Sequence, residues 1–331
     1  VSGGPLLVSV VVAALVFDFT NGFHDTANAV ATSVSTRALG PRAAVTIASL
    51  MNFAGAFTST AVATTIGTGI VAIGGHLRLE VLLMAVVGAT AWNLVTWYLA
   101  LPSSSSYALI GGLLGAQLVA EGSDGVRWDE VARKVLVPAT AAPLLGFAAA
   151  YVVLVGLLWA LRNVHASVAN RQLRIAQIGV GSLMAFAHGA NDAQKTMGVI
   201  ALAVATSSGQ AGFTVPTWVI VASATALAAG TYSGGWRIMR TLGYRVFRIE
   251  PAHGFAAQAA ATGLLLVTAG AGLPVSTTGV IAGSVFGAGA GARVRHISWR
   301  LALEIALGWV LTLPAAAAIA AVIYLPLRVF G

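Results

Sequence analysis

Long apolar runs, divided by short polar connections, dominate this chain of 331 residues. They lie at about 5–36, 43–73, 80–100, 104–120, 135–160, 173–207, 214–234, 252–270, 274–291 and 299–327. A helix needs about 20 residues to cross a bilayer. The pattern therefore predicts an all-α polytopic membrane protein with ten candidate segments. Runs 104–120 and 274–291 are short and rich in Gly and Ser, so each either crosses or re-enters. Runs 5–36 and 173–207 exceed one crossing, and each holds a polar interruption. Runs 43–73 and 299–327 have length to spare for tilt or an interfacial turn. The opening stretch VSGGPLLVSV has no basic region and no clear cleavage site, so it reads as the entry to the first span.

Composition supports the bilayer as solvent. Hydrophobic residues are 58% and charged residues 8% of the chain, against roughly 25% charged in a soluble domain. The 38 glycines suit close helix packing. Cysteine is absent, which removes disulfides and thiolate metal sites. The net charge of +8 would suit nucleic acid in a soluble protein. Here the bases sit in short connections, where orientation needs them, and no nucleic-acid partner is expected.

If all ten segments cross, the odd-numbered connections hold Arg37, Arg42, Arg162, Arg171, Arg174, Arg237, Arg240, Arg245, Arg248, Arg293, Arg295 and Arg300. The even side holds Arg78, Arg127, Arg133, Lys134 and Arg328. The positive-inside rule then puts both termini outside.

Two landmarks recur. TNGFHDTANAV (20–30) aligns with AHGANDAQKTM (187–197), placing Gly22 on Gly189 and Asp25 on Asp192. LPSSSSYALIGGLLGA (101–116) resembles LPVSTTGVIAGSVFGA (273–288). Five candidate segments separate equivalent landmarks, so the halves, 1–160 and 161–331, are expected to be inverted across the bilayer. Such repeats bind substrate near the midplane, at discontinuous helices. Breaks are expected near 21–28 and 188–194.

Acids inside a bilayer need a partner or a wet cavity. Asp25 and Asp192, with Asn21 and His24, are candidates to hold a sodium ion or carry protons. A broken helix offers N–H groups to an anion at one end and carbonyls to a cation at the other. Thr26, Asn28, Asn191 and Gln194 add neutral donors and acceptors. The hydroxyl clusters at 103–106 and 276–278, each following a proline, can donate to an oxyanion or simply cap helices. Lys195 follows Asp192 by one turn and either pairs with it or attracts an anion. Asn52 is a further intramembrane amide with a possible site role. No nucleophile–base pair and no ATP motif mark an enzyme.

The segments NGFHDTANAVATSVSTRALGP and AHGANDAQKTMGVIALAV, with LPSSSS and LPVSTTG, resemble the inorganic phosphate transporter (PiT) family, in its bacterial low-affinity type. The resemblance implies symport of inorganic phosphate with sodium or protons, by alternating access, in a bacterial inner or plasma membrane. It also implies an inverted-repeat core, a homodimer and no cofactor. The family's first signature maps onto Asn21, Gly22, His24, Asp25 and Asn28. Its second maps onto Gly189, Asn191, Asp192 and Gln194. Its hydroxyl clusters map onto Ser104, Ser105 and Ser106, and onto Ser276, Thr277 and Thr278. His24 stands where the family often has asparagine, which leaves room for proton coupling. A sulfate or other oxyanion symporter, and a phosphate channel, are the alternative readings.

Overall fold

The computed structural model describes residues 3–69, 78–209, 213–235, 238–239, 241, 247, 249–293 and 298–330, without the side chains of 3, 26–28, 69, 292–293 and 329–330. Every regular element among them is helical. In chain order these are α1 (Gly3–Ser35), α2 (Pro41–Gly55), α3 (Ala61–Gly69), α4 (Leu79–Tyr98) and α5 (Ser105–Glu121). After a short 3-10 turn come α6 (Trp128–Val131), a π turn at Ala132–Leu136, and α7 (Val137–Ala160). Then follow α8 (Ala166–Ser208), α9 (Thr217–Ser233), α10 (Pro251–Gly270), α11 (Thr277–Arg293) and α12 (Trp299–Phe330).

Among the described residues, five helices are long and apolar enough to cross a membrane: Gly4–Ser35, Leu79–Tyr98, Trp128–Ala160, Pro251–Gly270 and Trp299–Arg328. Large apolar side chains stand exposed on α1 (Val8, Val12), α7 (Leu144, Val152, Trp159) and α12 (Val310, Val322). In water that surface would aggregate. Against lipid it is the required surface.

The buried residues form two apolar cores. One takes Val10, Ala14 and Phe17 from α1 and Ala193, Met197 and Ile200 from α8, with α3, α4, α5 and α9. The other takes Ala29, Val30 and Val34 from α1 and Met184, Ala185 and Ala187 from α8, with α2, α7, α10 and α11. Helix α12 reaches both, through Ala316 and Ala320 in the first and Leu301 and Ile305 in the second, and so do α1 and α8, which also carry polar residues between the two. The polar stretches of α1 and α8, 18–25 and 188–195, fall where each helix passes from one core to the other.

The breaks expected near 21–28 and 188–194 are not found, because helix continues through both. Gly22 and Gly189 serve close approach instead. A Cβ on Gly22 would overlap the α9 backbone at Leu227 and Thr231, and one on Gly189 would overlap the α2 backbone at Asn52. A helix keeps its bonds through a glycine when a neighbour packs against it.

The interruptions lie elsewhere. Run 43–73 is split between α2 and α3, around residues 56–60. The short runs become α5 and α11, each 17 residues, or about 25 Å by helical rise. Both start inside the protein, after matching turns. Ala100 (φ 56°) and Gly272 (φ 67°) each adopt the left-handed conformation. The next residue donates back across the helix end, Leu101 N to Thr96 O at 2.9 Å and Leu273 N to Thr268 O at 3.0 Å. This is the Schellman closure of α4 and of α10. Pro102 and Pro274 follow, and a new helix starts a few residues later.

Candidate functional site

The site is built where these starting helices meet α1 and α8. The Ser104 side chain caps α5 by accepting from Tyr107 N at 3.3 Å. Ser276 does the same for α11, accepting from Gly279 N at 3.0 Å. Capping serines at both ends satisfy one N–H each and leave the helix dipoles directed at the same region. Ser106 Oγ donates to Val275 O at 3.3 Å, joining the two helix starts.

Two carboxylates face these ends. Ser105 Oγ donates to Asp25 Oδ2 at 3.0 Å, and Thr278 Oγ1 donates to Asp25 Oδ1 at 3.2 Å. Asp25 thus takes one hydroxyl from each starting helix. Thr277 Oγ1 donates to Asp192 Oδ2 at 3.2 Å, and Asn21 Nδ2 reaches the same oxygen at 3.4 Å. Lys195 donates to Asp192 Oδ1 and to Ser106 Oγ, tying the acid to the α5 start.

A histidine accompanies each acid. His24 Nδ1 lies 2.9 Å from Asp25 Oδ1, and its Nε2 lies 3.2 Å from Thr96 Oγ1. Ser103 Oγ donates to Thr96 Oγ1 at 2.8 Å, completing that side. His188 Nε2 lies 3.2 Å from Asp192 Oδ2 and 4.0 Å from Asp25 Oδ2, between the two acids. Its Nδ1 is 3.1 Å from Asn52 Oδ1, and Asn52 Nδ2 donates to Thr231 Oγ1 at 2.9 Å.

Asp25, His188 and Asp192 present ligand atoms within 4.8 Å of one another, a spacing that fits one cation. Asn21 Oδ1 is buried without a hydrogen-bond partner, so a neutral oxygen stands ready beside them. Asp25, Asp192, His24 and His188 are 0% exposed, and the clustered hydroxyls are no more than 2% exposed. Hydroxyl donors and helix N-termini suit an oxyanion. Carboxylates and amide oxygens suit a cation.

The Phosphate transporter family matches residues 21–170 and 160–320. The chain belongs to the phosphate transporter family. A "Probable low-affinity inorganic phosphate transporter" of Mycobacterium leprae (strain TN) is 46% identical over 98% of this chain and 79% of its own length. A protein of the same description from Bacillus subtilis (strain 168) is 40% identical over 96% of both chains. A solved structure described as "The sodium-dependent phosphate transporter" shares the fold at TM-score 0.88 and 23% identity, covering 99% of this chain and 100% of that one. These relatives are transporters, a non-enzymatic class, and this family member is a multi-pass membrane protein.

Within this phosphate transporter family member, the residues singled out from sequence divide into two groups. Asn21, His24, Asp25, Asp192, Ser105, Thr277 and Thr278 converge on the carboxylates, and Ser106 joins through Lys195. Ser104 and Ser276 act as caps. Gln194 is also a cap: its Oε1 accepts from Val62 N at 2.9 Å, at the start of the half-helix α3. Asn191 Nδ2 donates to Ala187 O at 2.8 Å and to Leu265 O at 3.0 Å, away from the carboxylates. The side chains of Thr26 and Asn28 lie outside the described residues.

Thr96 is not among the residues singled out from sequence, whereas Ser103 belongs to the hydroxyl cluster at 103–106 and His188 to the second recurring motif. His188 had a visible signal, since it precedes Asp192 by one helical turn. Thr96 sits in an ordinary apolar helix, and only the packing of α4 on α1 reveals it.

Proposed function

We propose that this protein is a secondary symporter that imports inorganic phosphate together with sodium ions or protons by alternating access. One observation carries the reading. Two hydroxyl-rich helix starts converge on a buried pair of acids, so anion and cation chemistry share one site. The relatives described as inorganic phosphate transporters support phosphate as the anion. Phosphate keeps a proton near neutral pH and can donate to Asp25 or Asp192, whereas sulfate cannot.

Each acid has a role in this scheme. Lys195 compensates Asp192, and a cation held by Asp25, Asp192 and Asn21 lowers the cost of bringing in the anion. The Ser105, Thr277 and Thr278 hydroxyls turn from the carboxylates, and Ser106 from the Val275 carbonyl, towards phosphate oxygens. Complete burial of the site favours a gated carrier over an open channel, because phosphate reaches it only after the helices part. His24 and His188 beside the acids favour the proton version. The cluster of ligand atoms around Asn21 Oδ1 favours sodium. The matched glycine crossings of α1 on α9 and α8 on α2 support reading 1–160 and 161–331 as two inverted repeats. The membrane is the cell membrane, with both termini outside and a homodimer as the assembly.

The test is labelled phosphate uptake into liposomes holding the pure protein, with sodium and proton gradients imposed separately and sulfate as competitor. Accumulation against the phosphate gradient under one of them is the expected result. Flux that only follows phosphate's own gradient would establish a channel. Efficient competition by sulfate would move the substrate class to oxyanions in general.

A further inference from the structure

Asp18 stands outside the site described so far. It lies on α1, about two turns before Asp25, and is 0% exposed. Thr196 of α8 and Ser223 of α9 flank it, and they are 1% and 0% exposed. Neither carboxylate oxygen of Asp18 completes a hydrogen bond, and neither do Thr196 Oγ1 and Ser223 Oγ. Hydroxyls from two other helices therefore stand close enough to act on the Asp18 carboxylate, yet none of the four buried oxygens is held in a completed hydrogen bond.

Charge makes the arrangement informative. The basic group closest in charge interaction is Lys195, which is already committed to Asp192 and Ser106. Asp192, also on α8, adds a second negative charge to the surroundings. The ionisable residues of α4, Glu80 and Tyr98, sit at its two ends, and α9 has only Tyr232 near its end. On α1 itself His24 and Asp25 belong to the central site. A buried carboxylate without a counter-charge costs several kcal/mol, more than a purely structural residue is retained for. Among the described residues no other basic group offsets it, so its compensation is assigned to a cation from solution.

We propose that Asp18, Thr196 and Ser223 form a second monovalent-cation centre, separate from Asp25 and Asp192, which loads one sodium ion or one proton. A carboxylate with two hydroxyls supplies hard oxygen ligands for sodium, and the same carboxylate can hold a proton between the hydroxyls. Loading draws α1, α8 and α9 together, the three helices that also carry Asp25, Asp192 and Thr231. Cation occupancy at Asp18 is thereby linked to closure of the central site. The proposal adds to the symport reading for its purpose, but its test needs no transport.

The experiment measures radioactive sodium binding and proton uptake by the purified protein in detergent without phosphate. Asp18→Asn is expected to bind one cation fewer per protein, in the sodium assay or in the proton assay according to which ion the centre takes. Ser223→Ala and Thr196→Val keep the carboxylate and are expected to weaken that one cation about tenfold. Asp192→Asn, measured in parallel, reports the central site. If all three Asp18-centre variants match the unsubstituted protein in both assays, the proposal is overturned, whatever Asp192→Asn does. If Asp192→Asn alone leaves both assays unchanged, the central cation reading fails and the Asp18 centre stands.

Discussion

At the scale of single residues, pairing decides the cost of a polar group in this interior. Asp192 and Lys195 are both buried and bonded to each other. Removing one partner of such a pair strands the other charge, at about 3–5 kcal/mol. Asp192→Asn and Lys195→Met should each lower thermal stability in detergent, while the double variant loses less than the sum of the two. A strictly additive result would mean that the pair contributes nothing as a pair. Ala100 offers a second check. It holds a left-handed backbone that Gly272 holds in the matching turn. A non-glycine residue there costs about 1–2 kcal/mol. Ala100→Gly should therefore stabilise the protein by about 1 kcal/mol, and Gly272→Ala should destabilise it by a similar amount. Equal unfolding temperatures for all three proteins would refute the strain.

At the scale of elements, helix crossings set the site's dimensions. Gly22 on α9 and Gly189 on α2 permit backbone contact at the level of the acids. Gly22→Ala and Gly189→Ala should push the helices apart, costing about 1–3 kcal/mol and weakening phosphate uptake. Gly179→Ala and Gly263→Ala are the controls, since an added Cβ meets nothing there. They should be neutral or slightly stabilising by about 0.5–1 kcal/mol. A loss of similar size at all four positions would mean that close approach is not what makes Gly22 and Gly189 sensitive. The half-helix α3 makes the same point about ends. Its Val62 N–H depends on Gln194, a residue that looked like a substrate ligand from its place beside Asp192. Its carboxamide is spent on an element 132 residues earlier in the chain, and no local pattern signals that.

At the scale of the whole molecule, access to the site is the issue. The carboxylates and hydroxyls have no contact with solvent, so binding and release require a rearrangement. The chain contains no cysteine, which makes single substitutions clean reporters. Ser105→Cys and Thr278→Cys should react slowly with membrane-impermeant thiol reagents, with a rate that changes when phosphate and the coupling cation are added. Rapid reaction from both sides at once would establish a continuous pore. Orientation is measured the same way in intact cells. Ser123→Cys should be labelled from outside, and Ser167→Cys only after the membrane is opened. The reverse pattern would invert the topology drawn from the arginine-rich connections.

The sequence by itself determined the solvent, the helical class and the family. Hydrophobicity over a span of about 20 residues is a local property. Motif residues such as Asp25, Asp192, Ser105 and Thr277 announce themselves because polar groups are costly in lipid and so stand out against their neighbours. Tertiary structure alone decided where helices break. Gly22 and Gly189 permit either a kink or a close contact, and the choice depends on which helix packs against them. It also decided which polar residues share a site. His188 sits between two acids, Gln194 caps α3, and Asp18 meets hydroxyls from α8 and α9. Each of these is set by groups far away in the chain, brought together only when the two apolar cores close around α1 and α8.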